Sequence, residues 1–551
     1  MYKSMSGKKE AVFYSVILAG WVAIFLYAAY SPNVSAQKMT FVALDSAFVI
    51  LVLSLPIRLH WVLCGVLAGV VGIEFVSVVE TGDFLSTLAL SNAEEYSALG
   101  LPAVLRATSL FAAFVALMMA THYVARRTLK STWAWLVVFP GYLLASVFVS
   151  TSSLYAFASI SYHLYEERTF SPMARLDDRA RSFVRDDFWH ADQLSPIDIG
   201  GKSVIVIFAE GISSRVIDTY NGKGLLLTPH IDEFLKKSVR FENYFNHTAA
   251  TFRGLRGQLT SFYQYRDGHH PDKQTGIEDD MTFEDVDREF KGRLVSVPKI
   301  LNENGYETYF LSSTEVVSKL NRMLASLDFT KVFGMGDFYD DDARMSDKQT
   351  FAALRKLVED KVAGGRKKVF IGVYPSGTHH GKDSLDAQYG DGSNSYYNKF
   401  YNLDVQFGEF FEWFEKSPIS ENTILILTTD HATFPAPQFQ ESLGRGTDYF
   451  VDRIPLAIYG RYLAPQSIDA RNMNSLAFAP TLMHMLGIQK RQNMFLGCSI
   501  FDRKCSGVFD RISAIGGDIF DTSSGNTVHL YDSLEFEKMR NKAQVTYDIG
   551  G

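Results

Sequence analysis

The segment "NTILILTTDHA", residues 422–432, places an apolar run directly before an acid and a histidine. The run predicts a buried strand, with Asp430 and His431 at its carboxyl end. A second run, "SVIVIFAE", ends in the same way with Glu210. From Lys202 onward such runs alternate with helical segments, which predicts an α/β domain around a mainly parallel sheet.

Functional residues of such folds gather beyond the carboxyl ends of the strands. Glu210, Asp430 and His431 fall there, and a third run, "VFIGVYPSGTHH", leads to His379 and His380. Carboxylates and imidazoles at several strand ends form a metal-ligand set, which favours zinc and also suits manganese. Each residue alone has an ordinary explanation, because acids often cap helices. Together they predict a metal site.

The segment "NYFNHTAATFRGLRGQLTSF", residues 243–262, offers an oxygen nucleophile to that site. Thr251 precedes a predicted helix, whose first backbone N–H groups and dipole attract phosphate oxygens. Arg253 adds positive charge beside it. A metal ion lowers the pKa of an oxygen nucleophile that it binds, so Thr251 is expected to be both a ligand and the nucleophile. Thr248 is the alternative, and Thr260 lies deeper in the helix.

Residues 1–155 are overwhelmingly apolar and contain five runs long enough to cross a bilayer, which takes about 20 helical residues. The runs are 11–30, 41–57, 61–79, 107–124 and 133–150. Lysines and arginines before the first span and in alternate loops predict a cytoplasmic N-terminus, so the odd number of spans leaves the rest of the chain outside the cytoplasm. Asp45 and Glu74 fall within spans, where acids are functional candidates; the alternative is an interfacial acid that reaches water or pairs with a neighbour.

The composition changes along the chain predict four parts. They are a five-helix transmembrane domain (1–155), an amphipathic linker (156–199), a catalytic α/β domain (200–510) and a C-terminal tail (511–551). The linker is expected to lie on the membrane surface as a helix, with a solvated linker helix as the alternative.

The charge and the cysteine content limit the possible ligands and the cellular compartment. The chain has 54 basic and 61 acidic residues and a net charge of −7, which gives no indication of nucleic-acid binding. Cys498 and Cys505 are close enough in sequence to form a disulfide in an oxidising compartment, with two free thiols as the alternative.

The order strand-Glu, Thr, His and Asp-His behind five predicted spans resembles the lipoteichoic acid synthases and phosphoethanolamine transferases. Both belong to the sulfatase-like branch of the alkaline phosphatase superfamily. The segments "LLLTPHIDEFLKKSVRFENYF", "LAFAPTLMHMLGI" and "FLGCSIF" are similar to recurring elements of that family. The resemblance implies that Thr251 is the nucleophile and that Glu210, Asp430 and His431 are the further metal ligands. It also implies that His379 or His380 binds the substrate phosphate and that Arg322, in "KLNRM", contacts the head group.

The resemblance implies a membrane enzyme that moves a phospholipid head group, through a phosphothreonine intermediate, onto an envelope glycan. Acidic segments such as 277–290 and 336–344 favour phosphoethanolamine from phosphatidylethanolamine, with lipopolysaccharide as the expected acceptor. The alternatives are phosphoglycerol transfer from phosphatidylglycerol, of the lipoteichoic acid or periplasmic-glucan type, and a membrane-anchored phosphodiesterase. The implied location is the bacterial inner membrane, with the catalytic domain in the periplasm. Sulfatase activity is not expected, because Thr251 cannot become formylglycine.

Overall fold

A computed structural model of the protein describes residues 2–30, 36–53, 60–81, 101–128, 183–263, 294–340, 344–364, 367–379, 386–434, 451–515 and 518–530, with a few isolated residues between and after these ranges. The chain forms two compact units. The first is Met1–Thr169 with Ala436–Ser442, and the second is Phe170–Pro435 with Leu443–Gly551.

The first unit is helical where it is described. Its helices are α1 (Tyr2–Tyr30), α2 (Ala36–Leu53), α3 (His60–Thr81) and α4 (Leu101–Thr128). Three segments are long and apolar enough to cross a membrane: Ala11–Tyr30, His60–Glu80 and Val104–Thr128. They match the first, third and fourth predicted spans, and α2 covers most of the second. The fifth, 133–150, lies outside the described residues except for Tyr142, so the count of five stays a prediction.

The two acids of the predicted spans are buried and hydrogen-bonded within the first unit. The Asp45 carboxylate accepts hydrogen bonds from the backbone N–H, at 2.6 Å, and the hydroxyl of Ser153. Glu74 accepts one from the backbone N–H of Leu85 at 2.8 Å. These bonds offset part of the cost of burying a carboxylate. The acids therefore lie inside the helical unit, and each is paired with a neighbouring residue, which is one of the predicted alternatives.

The second unit is built on strands. In the described part of the chain these are β1 (Arg185–Asp187), β2 (Ser203–Ala209), β3 (Val239–Glu242), β4 (Tyr306–Ser312), β5 (Lys331–Phe333), β6 (Lys368–Tyr374), β7 (Thr423–Thr429), β8 (Ala457–Tyr459), β9 (Gln466–Asp469), β10 (Lys490–Asn493), β11 (Ile512–Ile515), β12 (Asp518–Asp521) and β13 (Val528–His529). Eight of them form one sheet in the order β5-β4-β6-β2-β7-β8-β3-β9. All pair in parallel except β8, which is antiparallel to β7 and β3. The predicted mainly parallel sheet is confirmed.

Helices cover this sheet. They are α5 (Asp218–Asn221), α6 (Pro229–Lys236), α7 (Thr251–Thr260), α8 (Val297–Glu303), α9 (Lys319–Ala325), α10 (Asp347–Val358), α11 (Ser395–Lys416) and α12 (Phe478–Met485). Every residue of the central strands β2 and β7 is buried, as expected for strands covered on both faces. Phe208 of β2 packs on Phe478 of α12 with ring centroids 5.7 Å apart. These contacts make the centre of the sheet a rigid support for its carboxyl end.

The predicted linker helix is wrong for residues 183–199, the part of the linker that the structure describes in full. Arg185–Asp187 is a strand, and it pairs with β10 in antiparallel fashion. Phe188 is buried in the main core, and the Trp189 indole N–H donates to the Ile488 carbonyl at 3.1 Å. The side chains of Phe188 and Trp189 therefore pack into the second unit, although Val184 is exposed, and this packing removes the reason for a membrane-surface helix here. Residues 162–182 lie outside the described part.

The C-terminal residues contribute to the same unit. Strands β11, β12 and β13 form a small antiparallel sheet. Ile512, Ala514 and Ile519 pack in a cluster with Phe262 and Tyr263, which follow helix α7. The structure also joins the two cysteines just before this sheet in a disulfide, Cys498–Cys505. The residues from 511 to 530 thus support the segment that carries Thr251.

Candidate active site

The adjacent strands β2 and β7 bring two carboxylates together. Ala209 and Thr429 are paired in register, so Glu210 and Asp430 leave the sheet side by side. With His431 they form a buried cluster in which one ligand atom from each residue lies within 4.8 Å of the others. His431 Nε2 is 3.4 Å from Glu210 Oε1 and 3.5 Å from Asp430 Oδ2. The sequence prediction that these three residues converge agrees with this geometry.

Hydrogen bonds fix the orientation of each of these groups. Asp430 Oδ1 accepts from the backbone N–H of Gly211 at 2.8 Å and of His431 at 2.7 Å. No hydrogen-bond donor among the described residues reaches Asp430 Oδ2. His431 Nδ1 lies 2.8 Å from the Ala432 carbonyl, so it carries the proton and leaves Nε2 as the ligand atom. The free carboxylate oxygen and Nε2 face each other, as ligands of one cation would.

The electrostatics of the cluster favour a bound cation. Burial raises the pKa of Asp430 to about 7, and the charge of Glu210 adds to the effect. Burial acts to raise the pKa of Glu210 too, but the charges of His431 and His379 and the hydrogen bonds from His431 and Tyr374 together outweigh it and hold that pKa below its usual range. Burial opposes a charged His431, yet the two carboxylates raise its pKa to about 10. Two buried carboxylates thus require positive charge beside them. Either a protonated His431 supplies it, or a divalent ion does, with His431 neutral and Nε2 among its oxygen and imidazole ligands.

Thr251 lies at this cluster. It is the first residue of α7 and is buried, and its hydroxyl donates to Glu210 Oε2 at 3.1 Å. Ala250, just before it, has a φ of 70°, which is rare for a residue other than glycine. The turn at Ala250 and the helix start together aim the hydroxyl and the first N–H groups of α7 at one region.

The other two threonines of the segment are engaged elsewhere. The Thr248 hydroxyl donates to the Ala514 carbonyl at 2.7 Å. The Thr260 hydroxyl donates to the Arg256 carbonyl of its own helix at 2.8 Å. Of the three, only Thr251 has a hydroxyl bonded to the carboxylate cluster, which agrees with the sequence-based choice among them.

Tyr374 is a member of the site that the sequence analysis missed. Its hydroxyl is 3.2 Å from Thr251 Oγ1 and donates to Glu210 Oε2 in a short hydrogen bond. Burial, together with the nearby carboxylates, raises its pKa well above the usual value, so it is a neutral phenol. The feature of the sequence that could have indicated this role is the position of Tyr374 as the last residue of β6, which pairs with β2. A tyrosine at the end of a buried strand is more often a core residue, so it was not selected.

The predicted substrate-binding residues differ in how the structure places them. His379 follows β6 and is close enough to Glu210 for its charge to lower the pKa of that carboxyl, whereas His380 lies outside the described residues. Arg322 is on α9, which follows the carboxyl end of β4 at the same edge of the sheet. The Arg253 Nε donates to the Ala249 carbonyl at 2.9 Å, so its side chain folds back along its own segment. Their roles stay predictions.

Comparison with known proteins identifies the class. The sequence profile of the sulfatase family matches residues 202–488, more than half of the chain, and the chain belongs to this family. A protein of the alkaline phosphatase superfamily from Vibrio parahaemolyticus has a similar structure, with a TM-score of 0.50 and 17% identity, over 70% of this chain and 94% of that one. That likeness establishes a shared fold.

Individual relatives refine the class. The chain is 23% identical to lipoteichoic acid synthase 2 of Bacillus subtilis (strain 168) over 368 residues, which are 61% of this chain and 54% of the relative. The match therefore spans about half the length of that relative. The lipoteichoic acid synthase LtaP from Listeria monocytogenes aligns at 15% identity and a TM-score of 0.46, over 70% of this chain and 96% of that one. The sequence match to lipoteichoic acid synthase 2 and the sulfatase profile confirm the predicted resemblance to the lipoteichoic-acid-synthase group of the sulfatase-like branch.

Proposed function

We propose that the protein is a metal-dependent phosphotransferase that moves a phospholipid head group onto a cell-envelope glycan. The observation that carries this proposal is the hydrogen bond from the Thr251 hydroxyl to Glu210 Oε2, within the buried cluster of Glu210, Asp430 and His431. A nucleophilic oxygen at a helix N-terminus beside a cation site is the arrangement that phosphoryl transfer requires.

The metal would be held by Glu210, Asp430, His431 and the Thr251 oxygen, and zinc is favoured over manganese. When bound, it supplies Lewis acidity and lowers the pKa of the threonine hydroxyl. The fixed tautomer of His431 and the open oxygen of Asp430 suit such a ligand set.

The first step of the proposed reaction forms a bond between Thr251 Oγ1 and phosphorus and breaks the bond to the diacylglycerol oxygen. The hydroxyl proton passes to Glu210 Oε2, and the neutral Tyr374 phenol, which is 3.2 Å from Thr251 Oγ1 and donates to the same carboxylate oxygen, orients that carboxylate. The departing diacylglycerol oxygen takes a proton from His379 or His380. The first N–H groups of α7 receive the phosphoryl oxygens.

In the second step an acceptor hydroxyl gives its proton to the histidine deprotonated in the first step, His379 or His380, and attacks phosphorus. The bond to Thr251 Oγ1 breaks, and the proton held at Glu210 Oε2 returns to that oxygen and restores the threonine hydroxyl. We take phosphatidylethanolamine as the donor and lipopolysaccharide as the acceptor, with phosphatidylglycerol as the alternative donor. The acidic segment 277–290, which favours ethanolamine, lies outside the described residues. The apolar helices and the loop charges support an inner-membrane protein with its catalytic domain in the periplasm.

The test is mass spectrometry of the Thr251 peptide from the purified full-length protein after incubation with fluorescent phosphatidylethanolamine or phosphatidylglycerol. We expect a phosphoethanolamine adduct on Thr251 in the wild-type protein and in Thr248→Ala, and none in Thr251→Ala. A phosphoglycerol adduct would assign the alternative donor. Release of the head group into water, unchanged by added glycan, would indicate a phosphodiesterase. The absence of both adduct and release with every lipid would overturn the proposal.

A further inference from the structure

Lys399 is a buried cation that the mechanism above does not use. It lies in the first turns of α11 and is only 6% exposed. Its ammonium is 4.6 Å from the ring centroid of Tyr396 and 4.9 Å from that of Phe400. In the described part of the chain it forms no hydrogen bond and no ion pair. Aromatic faces compensate only part of the cost of burying a charge, so an anionic partner would stabilise this ammonium further.

The surroundings of this lysine connect it to the carboxylate cluster. One turn further along α11, Asn402 Nδ2 donates to Asp347 Oδ2 at 3.2 Å. Asp347 also accepts from the backbone N–H of Gly377 at 2.9 Å, and the next side chain, Thr378, donates to the Glu210 carbonyl at 2.5 Å. The lysine-bearing part of α11 is therefore tied to the loop that contacts the first metal-ligand candidate.

The electrostatics agree with this placement. Burial lowers the pKa of Lys399 to about 8, and the negative charge of Glu210 acts in the opposite direction. The lysine therefore lies within the field of the cluster while remaining unpaired by it. Glu210 is one of the candidate metal ligands, so its charge is compensated within the cluster, and it forms no ion pair with Lys399.

We propose that Lys399 binds the phosphoryl oxygens of the substrate and thereby positions the phosphate for attack by Thr251. The ligand class is a phosphate ester or inorganic phosphate, an anion that supplies the partner that the buried ammonium lacks. This inference rests on the proposed function, which brings such an anion to the cluster, and it adds a cation from a helix that carries none of the predicted site residues. Fixed positive charge in a site shielded from water stabilises the charge that accumulates on the phosphoryl oxygens.

The experiment measures binding of inorganic phosphate to the purified, metal-loaded full-length protein by titration calorimetry. We expect Lys399→Met to weaken the affinity about tenfold or more, as expected for loss of a buried ion pair. Lys399→Arg should keep the affinity within about threefold, because it keeps the charge. The matched control is Lys237→Met, a lysine that also contacts an aromatic ring but pairs with Glu415 at 2.9 Å. It should bind phosphate as the wild type does.

Thermal unfolding without phosphate separates a site from a structural role. Because the methionine variant removes an unpaired buried charge, its Tm should rise or stay unchanged, while its KM for the phospholipid increases. Wild-type phosphate affinity in Lys399→Met would overturn the inference, and so would an equal fall in Tm for the methionine and arginine variants. The Thr251 adduct reports on the proposed function separately. Weakened phosphate binding without any wild-type adduct would leave the Lys399 site standing and refute the transferase.

Discussion

Replacing Gly254 with alanine tests whether the close approach of helix α7 to strand β7 positions Thr251. A Cβ atom at residue 254 would lie 2.3 Å from the Asp430 carbonyl oxygen and 2.8 Å from its carbonyl carbon. Both are backbone atoms and cannot rotate away. An ordinary contact begins at 3.4 Å, so the helix and the strand end must separate by about 1 Å. Gln258 resists this movement, since its Nε2 donates to the Thr429 carbonyl at 2.8 Å.

The size of the effect follows from that separation. Overpacking of this kind costs about 1–3 kcal/mol of stability. A displacement of about 1 Å also lengthens the 3.1 Å contact between Thr251 Oγ1 and Glu210 Oε2 beyond hydrogen-bond distance. Misplacement of a reacting group by that amount reduces a rate about 100-fold. We therefore expect Gly254→Ala to lose far more activity than stability.

The assay is the initial rate of diacylglycerol release from a fluorescent phospholipid, with Tm measured on the same preparations. The matched control is Gly69→Ala in α3, where an added Cβ meets nothing within 4 Å. It should keep the wild-type rate. A Gly254→Ala protein with a rate within about twofold of wild type and an unchanged Tm would refute the positioning role of this contact.

Three further predictions address other parts of the molecule. Tyr374→Phe removes a hydroxyl 3.2 Å from Thr251 Oγ1, and we expect kcat to fall about tenfold with KM unchanged in steady-state assays. Asp430→Asn should abolish co-purified metal, measured by elemental mass spectrometry, whereas Thr248→Ala, whose hydroxyl faces Ala514, should retain it. Burial raises the pKa of Asp404 from 3.8 to about 7, so the native state holds a proton that the unfolded chain releases. The contribution of Asp404 to the free energy of unfolding should fall by about 1.4 kcal/mol per pH unit as pH rises from about 4 to 7. In urea unfolding, Asp404→Asn should show a shallower fall of stability with pH than the wild type.

The sequence predicted the parts of the site that depend on strand ends. Apolar runs mark buried strands, and parallel pairing then brings Glu210 and Asp430 to the same edge without further information. Tyr374 and Lys399 were not predicted from the sequence because each residue type has a more common explanation. Tyr374 is explained as a core aromatic residue, and Lys399 as a surface lysine of an amphipathic helix. Their positions depend on side-chain packing between elements far apart in sequence. Phe188 and Trp189 were misassigned for the same reason, because Phe495 and Ile488, which contact them, lie far along the chain.

The spacing of the two glycines in α7 has a single physical explanation. Gly254 and Gly257 are three residues apart and therefore lie on neighbouring positions of the helix surface. A Cβ at residue 257 would lie 2.0 Å from His247 Nε2, as one at residue 254 would meet the Asp430 backbone. Burial lowers the pKa of His247 to about 3, so this histidine is a neutral packing partner, held by Ser475 at 2.6 Å. The helix is thus confined on two sides, and this confinement, combined with the turn at Ala250, leaves Thr251 one position relative to the carboxylates.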